Sequence, residues 1–211
     1  MALTKTPAIS QAEVVGILSA NGVDLTKVAV LAIRGYYLDS MGKRRVNDRM
    51  IYDDAIVVYS PRGIMAYQAN TDPNGYRKGT GTGASKGMAS LVPGIHLFGI
   101  GPHKGRESFR QCEKFTVLRD GDPPYLDTGW HAIDLHAGGT VSTSSLGCQT
   151  VPAASWPEFK SLVYGLLEEF KNPKRKNDLG QLVRSFPYVL IEETARRAGE
   201  LVVSRRYLAS A

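Results

Sequence analysis

The chain has 211 residues, of which 43% are hydrophobic and 22% are charged, and its formal net charge is +6. These proportions are ordinary for a soluble globular protein and argue against an intrinsically disordered chain. The length suits one domain with additions, large enough to bury a substantial core.

The excess of positive charge favours an anionic partner: nucleic acid, an acidic membrane surface, or the anionic polymers of a bacterial envelope. Solubility alone explains the charge at least as well, because the basic residues are spread widely, with one dense run at 171–178. The sequence contains no nucleic-acid-binding motif and no alternation of basic with aromatic residues, so we expect no nucleic-acid partner.

The first ten residues contain no apolar h-region, and no stretch approaches the ~20 apolar residues that a spanning helix needs. We therefore expect synthesis in the cytoplasm without a signal peptide, and no membrane span.

The N-terminal residues show helical patterns. Ser10 and Glu13 form a capping box, apolar residues follow at helical spacing, and Asn21-Gly22 supplies the stop. A second apolar segment, 25–37, is also predicted to be helical. Residues 1–45 are therefore expected to form a helical N-terminal extension.

From residue 46 the pattern changes to short strands separated by turn residues. The segments 55–60 and 63–69 predict a hairpin, and further strands are predicted at 94–100, 112–118, 129–136 and 186–192. A capping box at Ser155 opens a helix with its buried face between Phe159 and Phe170. We expect a mainly β (α+β) catalytic domain over 46–193, an antiparallel β-sandwich core with peripheral helices, and a basic C-terminal tail over 194–211.

The segment from Asp134 to Pro152 is the most informative part of the chain. It places His136 at the end of an apolar strand and Cys148 directly after a loop rich in Gly, Ser and Thr. A thiol attacks as the thiolate, and a neighbouring imidazole takes its proton and stabilises the anion. Small residues let the backbone turn sharply and bring amide N–H groups close to a developing oxyanion. The pattern predicts a cysteine acyl-transfer enzyme.

The second cysteine has a different context. Cys112 begins a segment that alternates like a strand and is expected to pack as a small buried group. Two cysteines cannot make a disulfide framework, although the sequence alone allows a single disulfide between Cys112 and Cys148.

Strand periodicity relates the polar side chains around His136. In a continuous strand over 129–136, Asp134 and His136 share one face, toward the loop that carries Cys148, and His131 lies on the other. Asp134 could orient His136 or cap the end of the strand, and both interpretations stay open.

A zinc site is the sharpest competing interpretation, because His131, Asp134 and His136 offer ligands close together. Strand periodicity puts His131 on the wrong face for joint coordination, so a third ligand would have to come from His96 or His103. We therefore expect neither a metal nor another cofactor.

The glycine-rich segment 78–87 invites comparison with a phosphate-binding loop. It lacks the residue order of that motif, no clear strand precedes it, and no helical pattern follows it. We expect a flexible surface loop here.

The residues around Cys148 resemble the catalytic domain of the L,D-transpeptidase (YkuD-like) family. In that family a strand ends in a histidine before a small-residue turn, and a Ser-x-Gly-Cys follows. The chain has His136-Ala-Gly-Gly-Thr and Ser145-Leu-Gly-Cys148, and the likeness covers roughly residues 50–155. The resemblance implies that Cys148 is the nucleophile and His136 its general base. It also implies that Ser145 and the backbone around Gly147 shape the thiolate site and the oxyanion hole.

The chain departs from the family pattern beside the cysteine. Gln149-Thr150 stand where the family typically has a polar Arg or Asn, and the loop before Ser145 is shorter than usual. We expect Gln149 and Thr150 to bind substrate, together with Asp134 and Gly138.

The resemblance implies that the substrate is the peptide stem of peptidoglycan. Cys148 would attack a carbonyl beside a diaminopimelate-type residue, and water or an amine would resolve the thioester. Without an export signal, this combination fits a bacteriophage protein: an endolysin released by a holin, or a wall-degrading virion component with peptidoglycan and virion proteins as partners. A secreted antibacterial effector is a third route. The alternative, motivated by Gln149-Thr150, is a non-catalytic virion structural or wall-binding protein that retains the fold.

Overall fold

The computed structural model describes residues 5–79, 86–140 and 142–203. Strands predominate over helices, which confirms the predicted mainly β, α+β class. The helices are α1 (Gln11–Ala20), α2 (Trp156–Glu169) and α3 (Glu193–Arg197). The strands are β1 (Ala29–Arg34), β2 (Asp54–Ser60), β3 (Gly63–Ala69), β4 (Ala89–Leu91), β5 (Gly94–His103), β6 (Arg106–Gln111), β7 (Phe115–Arg119), β8 (Tyr125–Gly129), β9 (Leu135–Ala137), β10 (Gln149–Val151), β11 (Lys174–Lys176) and β12 (Leu182–Glu192).

Nine of the described strands form one sheet in the order β10-β9-β6-β5-β12-β1-β2-β3, with β11 paired to β12. Most neighbours are antiparallel, but β1 is parallel to β12 and β9 is parallel to β10, so the sheet is mixed. The sheet curls until its edges meet at one bridge, where Asn70 and Thr150 exchange two backbone hydrogen bonds of 2.8 Å. A second, antiparallel sheet contains β4, β7 and β8.

Two hydrophobic clusters lie on opposite faces of β1. Val30 and Ala32 belong to the first cluster, to which α2, β4 and β7 also contribute. Leu31 and Ile33 belong to the second, which α1 covers. The alternation of side chains along a strand explains how one short segment supplies both clusters.

The helix predicted over 25–37 is wrong. The segment contains β1, which pairs with β2 and β12 and is buried at every position. A strand covered on both faces is a continuous apolar run, and periodicity cannot separate such a run from a buried helix. The N-terminal segment thus contributes a strand to the main sheet, and the division into domains stays a prediction.

Several other predicted elements are confirmed. The Ser10 hydroxyl accepts a hydrogen bond of 3.2 Å from the amide of Glu13 at the start of α1. The hairpin is β2 and β3, the strand at 94–100 lies within β5, and 186–192 lies within β12. The helix after Ser155 is α2, but the Ser155 side chain makes no capping hydrogen bond, so the predicted cap is wrong.

Two predicted strands have different bounds. The segment 112–118 becomes β7, which begins at Phe115 and leaves the half-buried Cys112 outside the strand. The continuous strand over 129–136 is wrong, because β8 ends at Gly129 and β9 begins at Leu135. Ala132, between them, has a φ of 52°, which interrupts the extended backbone.

The predicted tail begins inside α3, where the buried carboxylate of Glu193 pairs with Arg196 and Arg197. Residues 204–211 of the tail and residues 80–85 of the glycine-rich segment lie outside the described residues. Among the described helices, none is both long and apolar enough to cross a membrane.

Phe109 of β6 connects β9, the strand that contains His136, to the hydrophobic core. It pairs in register with Leu135 of β9, and its ring contacts four aromatic rings at centroid distances of 5.1 to 6.1 Å. We expect Phe109→Ala to lower the free energy of unfolding by about 3–5 kcal/mol, because it removes apolar burial and leaves a cavity. Chemical denaturation measures this, with the exposed Leu182→Ala as a control that should change stability by no more than about 0.5 kcal/mol. Equal effects of the two substitutions would contradict this account of the core.

Candidate functional site

Cys148 lies immediately before β10, with its side chain 9% exposed. The thiol donates to the carbonyl oxygen of Ala132 at 3.5 Å, and the backbone N–H of Asp134 donates to Sγ at 3.4 Å. Burial raises the pKa of Cys148 to about 12, so the resting side chain is a neutral thiol. The Asp134 amide works in the opposite direction, because a donor to sulfur favours the thiolate.

The loop before Cys148 is held by its own residues. Ser145 Oγ donates to the carbonyl oxygen of Cys148 at 2.7 Å and accepts from the amide of Gly147 at 3.0 Å. A Cβ atom at Gly147 would lie 2.5 Å from the carbonyl oxygen of Ala89, so only glycine fits against β4. Ser145 therefore fixes the loop, and the Gly147 amide already has an acceptor. The predicted part of Ser145 and Gly147 in an oxyanion hole stays a prediction.

His136 lies in the middle of β9, and one hydrogen bond fixes the tautomer of its ring. Its Nδ1 is 2.7 Å from the carbonyl oxygen of Ala137, which can only accept. Nδ1 therefore carries the proton, and Nε2 carries the lone pair. Burial lowers the pKa of His136 to about 4, so the imidazole is neutral and able to accept a proton.

A second histidine, His103, lies against His136. The two rings stack with their centroids 4.3 Å apart and their planes 11° apart. One ring nitrogen of each histidine and Sγ of Cys148 all lie within 4.8 Å of one another. The sequence alone places His103 only among the possible zinc ligands. No local pattern relates it to His136, because the pairing of β5 with β6 and of β6 with β9 brings the two together.

Asp134 orients His103 and not His136, so neither role considered for it from the sequence is observed. Its side chain is fully buried, and Oδ2 accepts from His103 Nδ1 at 2.6 Å and from Arg110 Nη1 at 3.2 Å. Arg110 also makes a bidentate pair with Asp178 at 2.5 and 2.6 Å. Burial raises the pKa of Asp134 to about 7, partly opposed by Arg110.

The other predicted substrate residues contact protein groups. Gln149 and Thr150 are fully buried. Gln149 Oε1 accepts from the hydroxyl of Tyr188 at 3.0 Å, and the backbone of Thr150 makes the bridge that closes the sheet. Gly138 packs so closely against Tyr52 that a Cβ atom would lie 2.1 Å from the hydroxyl oxygen. Their assignment to substrate binding stays a prediction.

Two of the zinc ligands considered from the sequence, His131 and His96, are not part of the cluster that His103 and His136 form with Cys148. Nε2 of His131 forms a hydrogen bond of 3.0 Å with the carbonyl oxygen of Asp127. Nε2 of His96 forms one of 2.9 Å with the carbonyl oxygen of Val92. The remaining trio of His103, His136 and Cys148 has metal-binding atom types. Nearly parallel rings cannot aim two in-plane lone pairs at one ion, so coordination would require one ring to rotate.

Comparisons with known proteins give no match: no protein-family model, no curated protein and no solved structure is significantly similar to this chain.

The half-buried imidazole of His136 makes the site sensitive to acid. An unfolded histidine binds its proton near pH 6.5, whereas folded His136 does so near pH 4. Between these values the unfolded state binds more protons, so the stability contributed by the neutral ring is present above pH 6.5 and is lost as the pH falls toward 4.

We expect an NMR titration of the His136 ring protons to show a midpoint well below 6.5, with His136→Gln identifying the resonance. A midpoint at 6.5 would contradict the burial of this ring.

Proposed function

We propose that this protein is a cysteine acyl-transfer enzyme that acts on the stem peptides of peptidoglycan. The observation that carries the proposal is the convergence of Cys148 Sγ with ring nitrogens of His136 and His103 within 4.8 Å. His136 has a fixed tautomer with an unprotonated Nε2, as a general base requires. The peptidoglycan substrate comes from the family resemblance of His136 and Ser145-Leu-Gly-Cys148.

The reaction begins from a neutral pair, because burial keeps both the thiol and the imidazole uncharged. The thiol proton turns from the carbonyl oxygen of Ala132 toward Nε2 of His136. As Sγ attacks the peptide carbonyl, the S–H bond breaks, Nε2 gains the proton and an S–C bond forms. The resulting oxyanion requires hydrogen-bond donors in the loop before Cys148.

Collapse of the tetrahedral species breaks the C–N bond of the peptide. The imidazolium of His136 returns its proton to the leaving amine, and a thioester to Cys148 remains. Water or a second amine then attacks the thioester, and the imidazole takes the proton of the attacking group. The S–C bond then breaks, the acyl group leaves with the attacking group, and the imidazolium returns its proton to Sγ, which restores the neutral pair. Water gives hydrolysis, and an amine gives transpeptidation.

The Asp134–His103 pair supports the charge that forms during attack. When His136 gains a proton, its cationic ring lies against His103, whose Nδ1 faces a buried carboxylate. A carboxylate near the stacked rings stabilises positive charge on them. His103 and Asp134 are thus positioning residues in this proposal.

The proposed setting is the bacterial cell wall, reached after lysis of the cell or by delivery in a virion. The alternative function is a non-catalytic virion structural or wall-binding protein with this fold. The 9% exposure of Cys148 and its protonated resting thiol favour that alternative, and the same experiment separates the two.

Purified sacculi provide the direct test. We expect the wild type to release cut or exchanged stem peptides and Cys148→Ala to release none, because the other free thiol, Cys112, is not part of the site. Mass spectrometry of the muropeptides measures this, and a parallel sample with a chelator tests the metal alternative. Products that persist in Cys148→Ala would reject the cysteine mechanism, and their absence with the wild type would favour the structural role.

The two histidines are separable by substitution. We expect His136→Gln to lower the initial rate of product release about 10²- to 10⁴-fold, the range of general-base catalysis. Asp134→Asn should lower it less and also change its pH dependence, because Asp134 acts through His103. Thermal unfolding of both variants controls for folding. A larger loss in Asp134→Asn than in His136→Gln, with both proteins folded, would make His103 the base.

A further inference from the structure

A small cavity of about 170 Å³ lies beside Cys148. Cys148 and Gly147 line it, whereas His103 and His136 do not. This volume exceeds what a single water molecule needs and can admit a small group on the scale of an amino-acid side chain.

Three cationic side chains line this cavity: Arg77, Lys86 and Arg119. Lys86 Nζ and Arg119 Nε both contact one carboxylate oxygen of Asp127, at 2.7 and 3.0 Å. Among the described residues, no carboxylate pairs with Arg77. The carboxylate of Asp120 accepts from the backbone amide of Arg77 at 3.1 Å, but it is paired with Arg49. Four positive charges therefore lie near two negative ones, which leaves a local excess of two.

The guanidinium of Arg119 lines the cavity and is held in place by hydrogen bonds. Its Nη1 donates to the carbonyl oxygen of Gly87 at 3.0 Å, and its Nη2 donates to Nδ1 of His131 at 3.3 Å. Gly87 packs against the backbone of Asp120 so tightly that a Cβ atom would overlap its carbonyl oxygen. Arg77 is exposed and Lys86 is half-buried, so both can adjust to a ligand.

The remaining walls are apolar and include Ala89, Ile133 and Leu146. Cationic groups in a partly apolar cleft attract an anion more strongly than they would in open water, because the local dielectric is lower. A carboxylate suits both arginine and lysine as a partner.

We propose that this cavity binds a carboxylate-bearing group of the acyl donor, held by Arg77 and Lys86, while the reacting carbonyl lies at Cys148. The inference rests on the proposed function for the identity of the donor. The site itself is a property of the cavity and can be tested without turnover.

The test compares two alkylating agents on the full chain. Iodoacetate is anionic and iodoacetamide is neutral, and both transfer their CH₂ carbon to Sγ with loss of iodide. We take the ratio of their rates at Cys148, measured by peptide mass spectrometry and normalised to the ratio in the unfolded protein. Cys112 reports in the same sample as an internal reference.

We expect the normalised ratio at Cys148 to fall about threefold to tenfold in Arg77→Gln combined with Lys86→Gln, the range for a charge several ångströms away in a partly solvated cleft. The matched control is Arg62→Gln, an exposed arginine that pairs with Glu169 outside the cavity; it should leave the ratio unchanged. An equal ratio in the wild type, the double variant and the control would overturn the proposal.

A second readout needs no thiol reactivity and covers the case of a thiol too slow to alkylate. N-acetylalanine and its neutral amide are titrated into the protein, and the amide NMR shifts of Gly87 and Gly147 are followed. We expect shifts with the carboxylate that are lost in the double variant. Identical shifts with both compounds, or none with either, would also overturn the proposal.

The outcomes separate the two proposals. Charge-dependent alkylation without any effect on sacculi would keep the anion site and reject the peptidoglycan function. Cleaved sacculi with charge-independent alkylation would keep the function and reject the anion site.

Discussion

The fully buried residue Asp134 connects the groups of the candidate site. Its amide donates to Sγ of Cys148, and its carboxylate contacts His103 and Arg110. Arg110 is in turn held by Asp178. Backbone and side chain of one residue thus set both the position of the sulfur and the orientation of a ring that stacks on His136.

Burying this carboxylate has a cost, because a charge loses its hydration and is only partly compensated by its partners. Oδ2 has two partners, whereas Oδ1 is buried and has no hydrogen-bond partner among the described residues. The raised pKa of Asp134 and the lowered pKa of His136 follow from the same burial. Clustered groups with perturbed pKa values are more frequent at functional sites than elsewhere, although structural networks also contain them.

The site is assembled by the curled sheet. β5 supplies His103, β9 supplies His136, and the loop before β10 supplies Cys148. The bridge between Asn70 and Thr150 closes the two edges of the sheet next to that loop. The small sheet forms one side of the cavity beside Cys148. β7 contains Arg119, and the segment just before β4 contains Lys86 and Gly87. The sulfur therefore lies between a histidine pair and a cationic cavity.

The sequence determined the elements whose signals are local. The Ser10 cap, the hairpin of β2 and β3, and α2 were predictable because caps, turns and amphipathic spacing act over a few residues. The pairing of His136 with Cys148 was also predictable, since both lie in one short segment with a recognisable motif.

Only the tertiary structure decided the features that depend on distant residues. β1 was missed because burial on both faces removes the alternation that marks a strand. The sequence left open whether Asp134 orients His136 or caps the strand. The structure places its carboxylate on His103 and Arg110 instead, because the pairing of β5, β6 and β9 brings these residues together. His103 and the cationic cavity come from separate elements that pack together, and side-chain patterns within one segment carry no information about such contacts.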